Sequence, residues 1–243
     1  MRIIFSRKGF DSGSGGAPSP IIDERPVSLP IPTRHRSETT YAHLGMGEIV
    51  ERVTRGRIAG GHLCHEDPMF AAGRCCFGQT GAAQSHLANH GVGLGDVFLF
   101  FGLFSDEATG ERHHRIFGFL RVEKVVPFGS RPEVEGNVAG FPRRHPHTIG
   151  EWNRNNTIYL GEGATCRHAP DALRLTQAGG SVSRWRIPLW LRNRGLTCHG
   201  RKERWLGADR LQVVARGQEF ITSIGSDQEA RGWLQATIEA IGE

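Results

Sequence analysis

The sequence predicts an α+β fold, with residues 1–243 as a single domain: a mixed or antiparallel, partly barrel-like sheet, a few short helices and a C-terminal helix. Three observations predict it. Two apolar runs bounded by turn residues, 95–104 and 116–122, read as buried strands, and residues 226–242 carry apolar groups at helical spacing. Glycine supplies 33 of 243 residues, roughly double the usual share of about 7%, which favours tight turns over long helices.

From the N-terminus, Arg2-Ile3-Ile4-Phe5 reads as a short strand, followed by the polar stretch Ser6–Asp11 and the small-residue loop Ser12–Gly16. Pro18, Pro20, Pro26, Pro30 and Pro32 forbid regular helix and leave an extended segment to about residue 40. Residues 41–56 read as a short helix interrupted by two glycines, and 62–77 as polar and irregular. A helix is expected over Gly81–His90, with Thr80 as its N-cap and Gly91 as its stop. The runs at 95–104 and 116–122 read as antiparallel neighbours joined through a loop at 105–115. Short strands are expected at 157–160 and 173–176, and an apolar patch holds Trp190. In the last helix Ala230, Trp233, Leu234, Ile238 and Ile241 share a face, and Ser226 with Glu229 forms a capping box.

Hydrophobic residues make up 38% and charged residues 23%, the composition of a globular chain able to build its own core. Five cysteines, odd in number and irregular in spacing, argue against a disulfide framework. Met1–Phe5 passes directly into polar residues, and no uninterrupted apolar run reaches the ~18 residues of a membrane span. A cytoplasmic protein with reduced thiols is expected. The net charge of +5, pI near 9.3 and preference for Arg over Lys favour a polyanionic partner, DNA or a nucleotide.

Four segments carry candidate chemistry. In Ser6–Gly16, Arg7 and Lys8 supply charge beside glycines whose N–H groups can form an anion nest, although the Walker spacing is absent. In His62–Asp67, His65 or Asp67 suits a general base. His62, Cys64, His65, Asp67 and Cys75 are metal-ligating types, but no Cys-x-x-Cys pair is present. The expectation is no bound metal, with His62, Cys64, His65 and Cys75 as the weaker alternative. In Phe77–His90, Gln79 and Gln84 suit paired hydrogen bonds to a base, and His86 and His90 share a helix face. The fourth segment interleaves Arg184, Trp185 and Arg186 with Trp190, Arg192, Arg194, Arg201, Lys202 and Trp205, a pattern suited to stacking and phosphate pairing. His145-Pro146-His147 and His113-His114 are lone polar pairs, assigned to no site.

The Met1–Asp11 run with its glycines, the His62–Asp67 segment and the Phe77–Phe101 block resemble the third of the nucleotide modification associated domains, a family of bacteria and phages. The similarity covers most of the chain and weakens after about residue 140. The family is linked to DNA base hypermodification by genomic association. The resemblance thus implies that context, and it carries no catalytic residue onto this chain. A weaker likeness, in Gly95-Asp96 with its strand and the 118–125 strand, is to the small barrels associated with pseudouridine synthases.

The leading expectation is an enzyme acting on the base of a phosphate-bearing substrate. Ser6, Arg7 and Lys8 would hold phosphate, Asp11, His65 and Asp67 would move protons, and Gln79, Gln84 and His86 would orient the base. A non-catalytic reader of altered bases and a metal-dependent hydrolase are the alternatives. No nicotinamide fingerprint, pyridoxal lysine context or Walker loop is present, so the sequence names no cofactor.

Overall fold

In the computed structural model, which describes residues 1–132, 138, 140–215 and 217–243, the long apolar run lies inside a nine-stranded sheet. In chain order the strands are β1 (Arg2–Arg7), β2 (Ser19–Ile22), β3 (Arg25–Pro26), β4 (Ile31–Pro32), β5 (Cys64–His65), β6 (Met69–Ala71) and β7 (Arg74–Gln79). They continue with β8 (Val97–Asp106), β9 (Arg112–Pro127), β10 (Thr157–Thr165), β11 (Arg184–Arg186), β12 (Arg210–Gln212) and β13 (Glu219–Ser223). The helices are α1 (Gly47–Thr54), α2 (Gly81–Asn89), α3 (Leu189–Arg194) and α4 (Gln228–Gly242).

The sheet order is β13-β1-β8-β9-β10-β7-β6, with β2 and β3 beside the far end of β8. β1 and β2 run parallel to β8, and the remaining pairings are antiparallel. The α+β class, mixed sheet and C-terminal helix are those the sequence predicts. The barrel is not: β13 and β6 stand at opposite ends of the order, no ladder joins them among the described residues, and the sheet is open.

Aromatic side chains fill both faces of β8. Phe98 and Phe100 meet Phe77, and Phe98 also meets Tyr159; Phe101 packs edge-on against Trp185. Phe5 and Phe220 complete the second cluster, and α4 adds Trp233 against Phe5 and Trp190. β9 begins earlier than its apolar run suggests because His113 and Arg115 are buried strand residues, which shortens the expected loop to the few residues between β8 and β9. α4 is capped by Asp227, whose carboxylate accepts the Ala230 N–H, one residue beyond the expected cap. The expected strand near 173–176 is a 3-10 turn, Asp171–Leu173, with isolated bridges, and the Trp190 patch is helix α3. Among the described residues, no helix is long and apolar enough to cross a membrane.

One glycine sets where β1 ends. A Cβ on Gly102 would lie 2.7 Å from the Lys8 carbonyl. Its absence lets the chain leave β1 close over β8, where the Lys8 N–H bonds the Phe101 carbonyl. The exits of β1 and β7, the β5–β6 connection and the loop before β10 meet at this end of the molecule.

Candidate active site

A cavity of about 500 Å³ opens there, lined by Arg7, Lys8, Asp11, His65, Asp67, Gly78, Gln79, Thr80, His147 and Trp152 among others. This volume falls in the range of roughly 300–1,000 Å³ usual for small-ligand sites.

Asp67 sits at the centre of its imidazoles. Its Oδ1 accepts the Gly78 N–H at 2.9 Å and lies 3.3 Å from His145 Nε2, a close contact off the ideal hydrogen-bond line. Its Oδ2 lies 3.6 Å from both His65 Nε2 and His147 Nε2. Burial pushes the Asp67 carboxyl up, but the close imidazoles of His145, His65 and His147 outweigh it and hold it well below the usual carboxylate range. Between His65 and Asp67, Glu66 turns the other way and takes a two-bond clasp from Arg143, at 2.7 and 2.5 Å, which fixes the segment.

His147 is held by Asn156. The amide Nδ2 donates to the His147 carbonyl, so Oδ1 is the atom 2.6 Å from Nδ1, and the ring proton is on Nδ1. Its Nε2 lone pair therefore faces Asp67. Burial lowers His147 to about 3, reinforced by His145 and His65 and opposed by Asp67. Trp152 stacks on the ring with centroids 4.1 Å apart and planes 13° apart, and the Arg36 guanidinium lies 4.3 Å from the indole centroid.

Opposing pressures act on His145. Burial disfavours its charge, whereas Cys76 and Asp67 favour it. Its Nδ1 accepts the His147 N–H at 3.2 Å, so a second proton there would meet that donor head-on. We assign the neutral tautomer with its proton on Nε2, facing Asp67.

The cationic side of the cavity rests on Glu219, which is buried. Its Oε1 receives Ser6 Oγ at 3.0 Å, Lys8 Nζ at 3.1 Å and Gln79 Nε2 at 2.8 Å. Lys8 Nζ also lies 4.4 Å from the Phe77 ring centroid. Arg7 spends its terminal nitrogens on the Val214 and Ala215 carbonyls.

The residues singled out by sequence reach different places. Arg7, Lys8, Asp11, His65, Asp67 and Gln79 line the one cavity. Ser6 is buried beneath it as a donor to Glu219. Asp11 Oδ1 accepts the Gly13 and Ser14 N–H groups, so the expected anion nest is filled from within the loop. Both ends of the Gln79 amide are engaged, with Glu219 and the Thr80 N–H. Gln84 is buried and accepts the Tyr159 hydroxyl, and His86 bonds Thr197 outside the cavity lining.

The weaker metal set does not gather. Cys64 packs in the Phe10–Tyr41 cluster, Cys75 in the main core, and His62 Nδ1 accepts the Ala59 N–H. Burial pushes Cys64 up to about 12 and Cys75 well above its usual value, so neither offers a thiolate. Among the described residues, the grouping that brings three ligating side chains together is His65, Asp67 and His147, with all three atoms within 4.8 Å of one another. Sequence reading missed His147, His145, Asn156 and Glu219. The His-Pro-His triplet was the visible signal for the first two.

In the basic stretch Trp185 is fully buried between Phe5 and Phe101, and Trp190 is buried as well, so neither presents a face to a base. Arg184, Arg186, Arg192, Arg201 and Lys202 are exposed, and Arg194 pairs with Asp227 at 2.8 Å. Half-buried Trp205 lines a groove with Arg192 and Lys202.

Comparison with known proteins gives one family match: the family described as nucleotide modification associated domain 3 matches residues 2–223. The matched span runs well past residue 140 and takes in the loop carrying His147 and the strand carrying Glu219. No curated protein and no solved structure matches the chain.

Proposed function

We propose, for a chain that belongs to the nucleotide modification associated domain 3 family, that it is an enzyme modifying the base of a phosphate-bearing nucleotide or nucleic acid in the cavity beside Asp67. The observation that carries this reading is convergence. His65, Asp67 and His147 point their reactive atoms at one another, in a cavity that also holds the Lys8 ammonium. A fold needs no such grouping of ring nitrogens around a carboxylate, and perturbed titratable groups in a cleft mark functional sites.

Within this reading Lys8, oriented by Glu219, binds phosphate with the donors that Glu219 leaves over. His147 presents an unprotonated Nε2, fixed by Asn156 beside the Asp67 carboxylate, and these inward-facing lone pairs are the groups of the cavity that act on the substrate. Trp152 closes the wall behind His147 and keeps water from that face. The reader alternative loses two of its aromatic platforms with the burial of Trp185 and Trp190.

The test is to express the protein with candidate DNA, digest the DNA to nucleosides and compare masses with those from a His147→Gln variant. A new nucleoside that disappears in the variant is expected. An unchanged profile across plausible co-substrates overturns the reading.

A further inference from the structure

We propose that His65, Asp67 and His147 bind a divalent first-row transition-metal ion through His65 Nε2, Asp67 Oδ2 and His147 Nε2, with the remaining coordination positions open to water or a substrate oxygen. The proposal deepens the reading of this cavity as an active site and rests on that reading only for the ion's use, not for its binding.

Three observations carry it. The first is distance. Ligand atoms about 2.1 Å from an ion stand ~3.0 Å apart at right angles and ~3.4 Å apart in a tetrahedron. The two Nε2–Oδ2 separations of 3.6 Å and the overall spread within 4.8 Å approach these values and close with small side-chain rotations.

The second is the direction of lone pairs. Asn156 keeps the His147 proton on Nδ1, so the Nε2 lone pair faces Asp67 Oδ2 at 3.6 Å. Two acceptors aimed at one point repel unless a proton or a metal cation lies between them, and a 3.6 Å gap is long for a shared proton.

The third is the supporting layer. Metal-bound histidines usually donate their second nitrogen to an oxygen acceptor, and ligating carboxylates are themselves hydrogen-bonded. Asn156 does the first for His147; the Gly78 N–H, with His145 beside it, does the second for Asp67 Oδ1. Both devices leave the proposed ligand atoms turned inward.

The donor set fixes the class of ion. Two imidazoles and one carboxylate, without thiolate, suit iron(II), manganese(II), cobalt(II) or zinc(II) and disfavour copper(I) or calcium. Three protein ligands with open positions are the pattern of a reactive rather than a structural ion.

Cobalt(II) is the probe. The full chain, purified and stripped with chelator, is titrated with cobalt(II) in the absence of nucleotide while visible ligand-field absorption is followed, with circular dichroism recording the fold. Expected are one ion per chain, loss of the signal in Asp67→Asn and His147→Gln, and affinity about 10–100-fold weaker in Asn156→Ala. His86→Gln, which alters the other histidine pair on α2, is expected to bind as the parent does. X-ray absorption of the cobalt-loaded parent needs no variant and is expected to show two imidazoles. No stoichiometric uptake by the folded parent, undiminished uptake in folded Asp67→Asn and His147→Gln, or an absorption spectrum without imidazole overturns the proposal. Nucleotide binding to the stripped protein, measured separately with Lys8→Met as control, reports on the substrate reading alone.

Discussion

A methyl group on Gly78 would lie 2.3 Å from Cδ2 of His147, closer than carbon atoms approach without bonding. The histidine packs against the bare Cα of β7, and the same glycine donates its N–H to Asp67. Gly78→Ala is therefore expected to push His147 away from Asp67. Overpacking of this kind costs about 1–3 kcal/mol, whereas displacing a reacting group by 1 Å lowers rate by roughly 100-fold. Melting curves beside nucleoside analysis would show a modest loss of stability and a severe loss of activity. Full activity in Gly78→Ala would remove His147 from the chemistry.

Glu219 and Lys8 form an ion pair spanning 211 residues of sequence, buried at the carboxylate and open to the cavity at the ammonium. Removing Glu219 takes a charged hydrogen-bond partner from Lys8, Ser6 and Gln79 together, at a cost of roughly 1.5–3 kcal/mol. Glu219→Ala should lose about that much in urea unfolding, and adding Lys8→Met should restore part of it. Additive losses in the double variant would mean that the two charges do not interact.

Acid should weaken the fold through two neighbouring histidines. Burial, with Arg115 and Arg174 nearby, lowers His113 to about 4 against the opposing charges of Glu111 and Asp106. Burial, with Arg7 and His113, lowers His114 to about 3, and its Nδ1 accepts the Trp185 indole N–H at 3.0 Å. In the unfolded chain both protonate near the ordinary value of about 6.5. Below that pH the unfolded state binds more protons, so stability is lost progressively as pH falls from about 6.5 towards the folded values. Urea midpoints measured across this window should fall with pH, and His113→Gln with His114→Gln should flatten the slope. A slope unchanged in that double variant would contradict the assignment.

The exposed cations around Trp205 should act differently from the buried indoles beside them. Arg192→Glu with Lys202→Glu is expected to weaken nucleic-acid binding and to reduce the salt dependence by about one unit of slope for each phosphate left unpaired. Trp185→Ala should instead cost stability, roughly 3–5 kcal/mol. Gel-shift titrations over a salt series separate the two. A charge-reversed protein with the parent's slope would take this groove out of the interface.

Local sequence carried the fold's strongest elements, because the apolar run of β8 and the helical period of α4 are properties of contiguous residues. It obscured β9 because His113 and Arg115 look like loop residues until partners far along the chain, Trp185 and Pro170, bury their neighbourhood. Half of the candidate site was legible. His65 and Asp67 stand in a dense polar segment, but His147 joins them from 80 residues away, and Glu219 sits in an unremarkable strand with no local sign of its role. Trp185 was misleading for a readable reason: Arg-Trp-Arg is the period of a half-buried strand, in which the central ring turns inward as its flanking cations turn out.

The pairing of β1 with β13 bears on how the protein is made. Arg2–Ser6 aligns with Glu219–Ser223 in register, so β1 must wait for a strand synthesised more than two hundred residues later. Until then Lys8 has no Glu219, and the cationic wall of the cavity is unformed. Synthesis at about 5–20 residues per second imposes a delay of roughly ten to forty seconds across that span. Throughout that interval the Lys8 side of the cavity lacks the carboxylate that orients it.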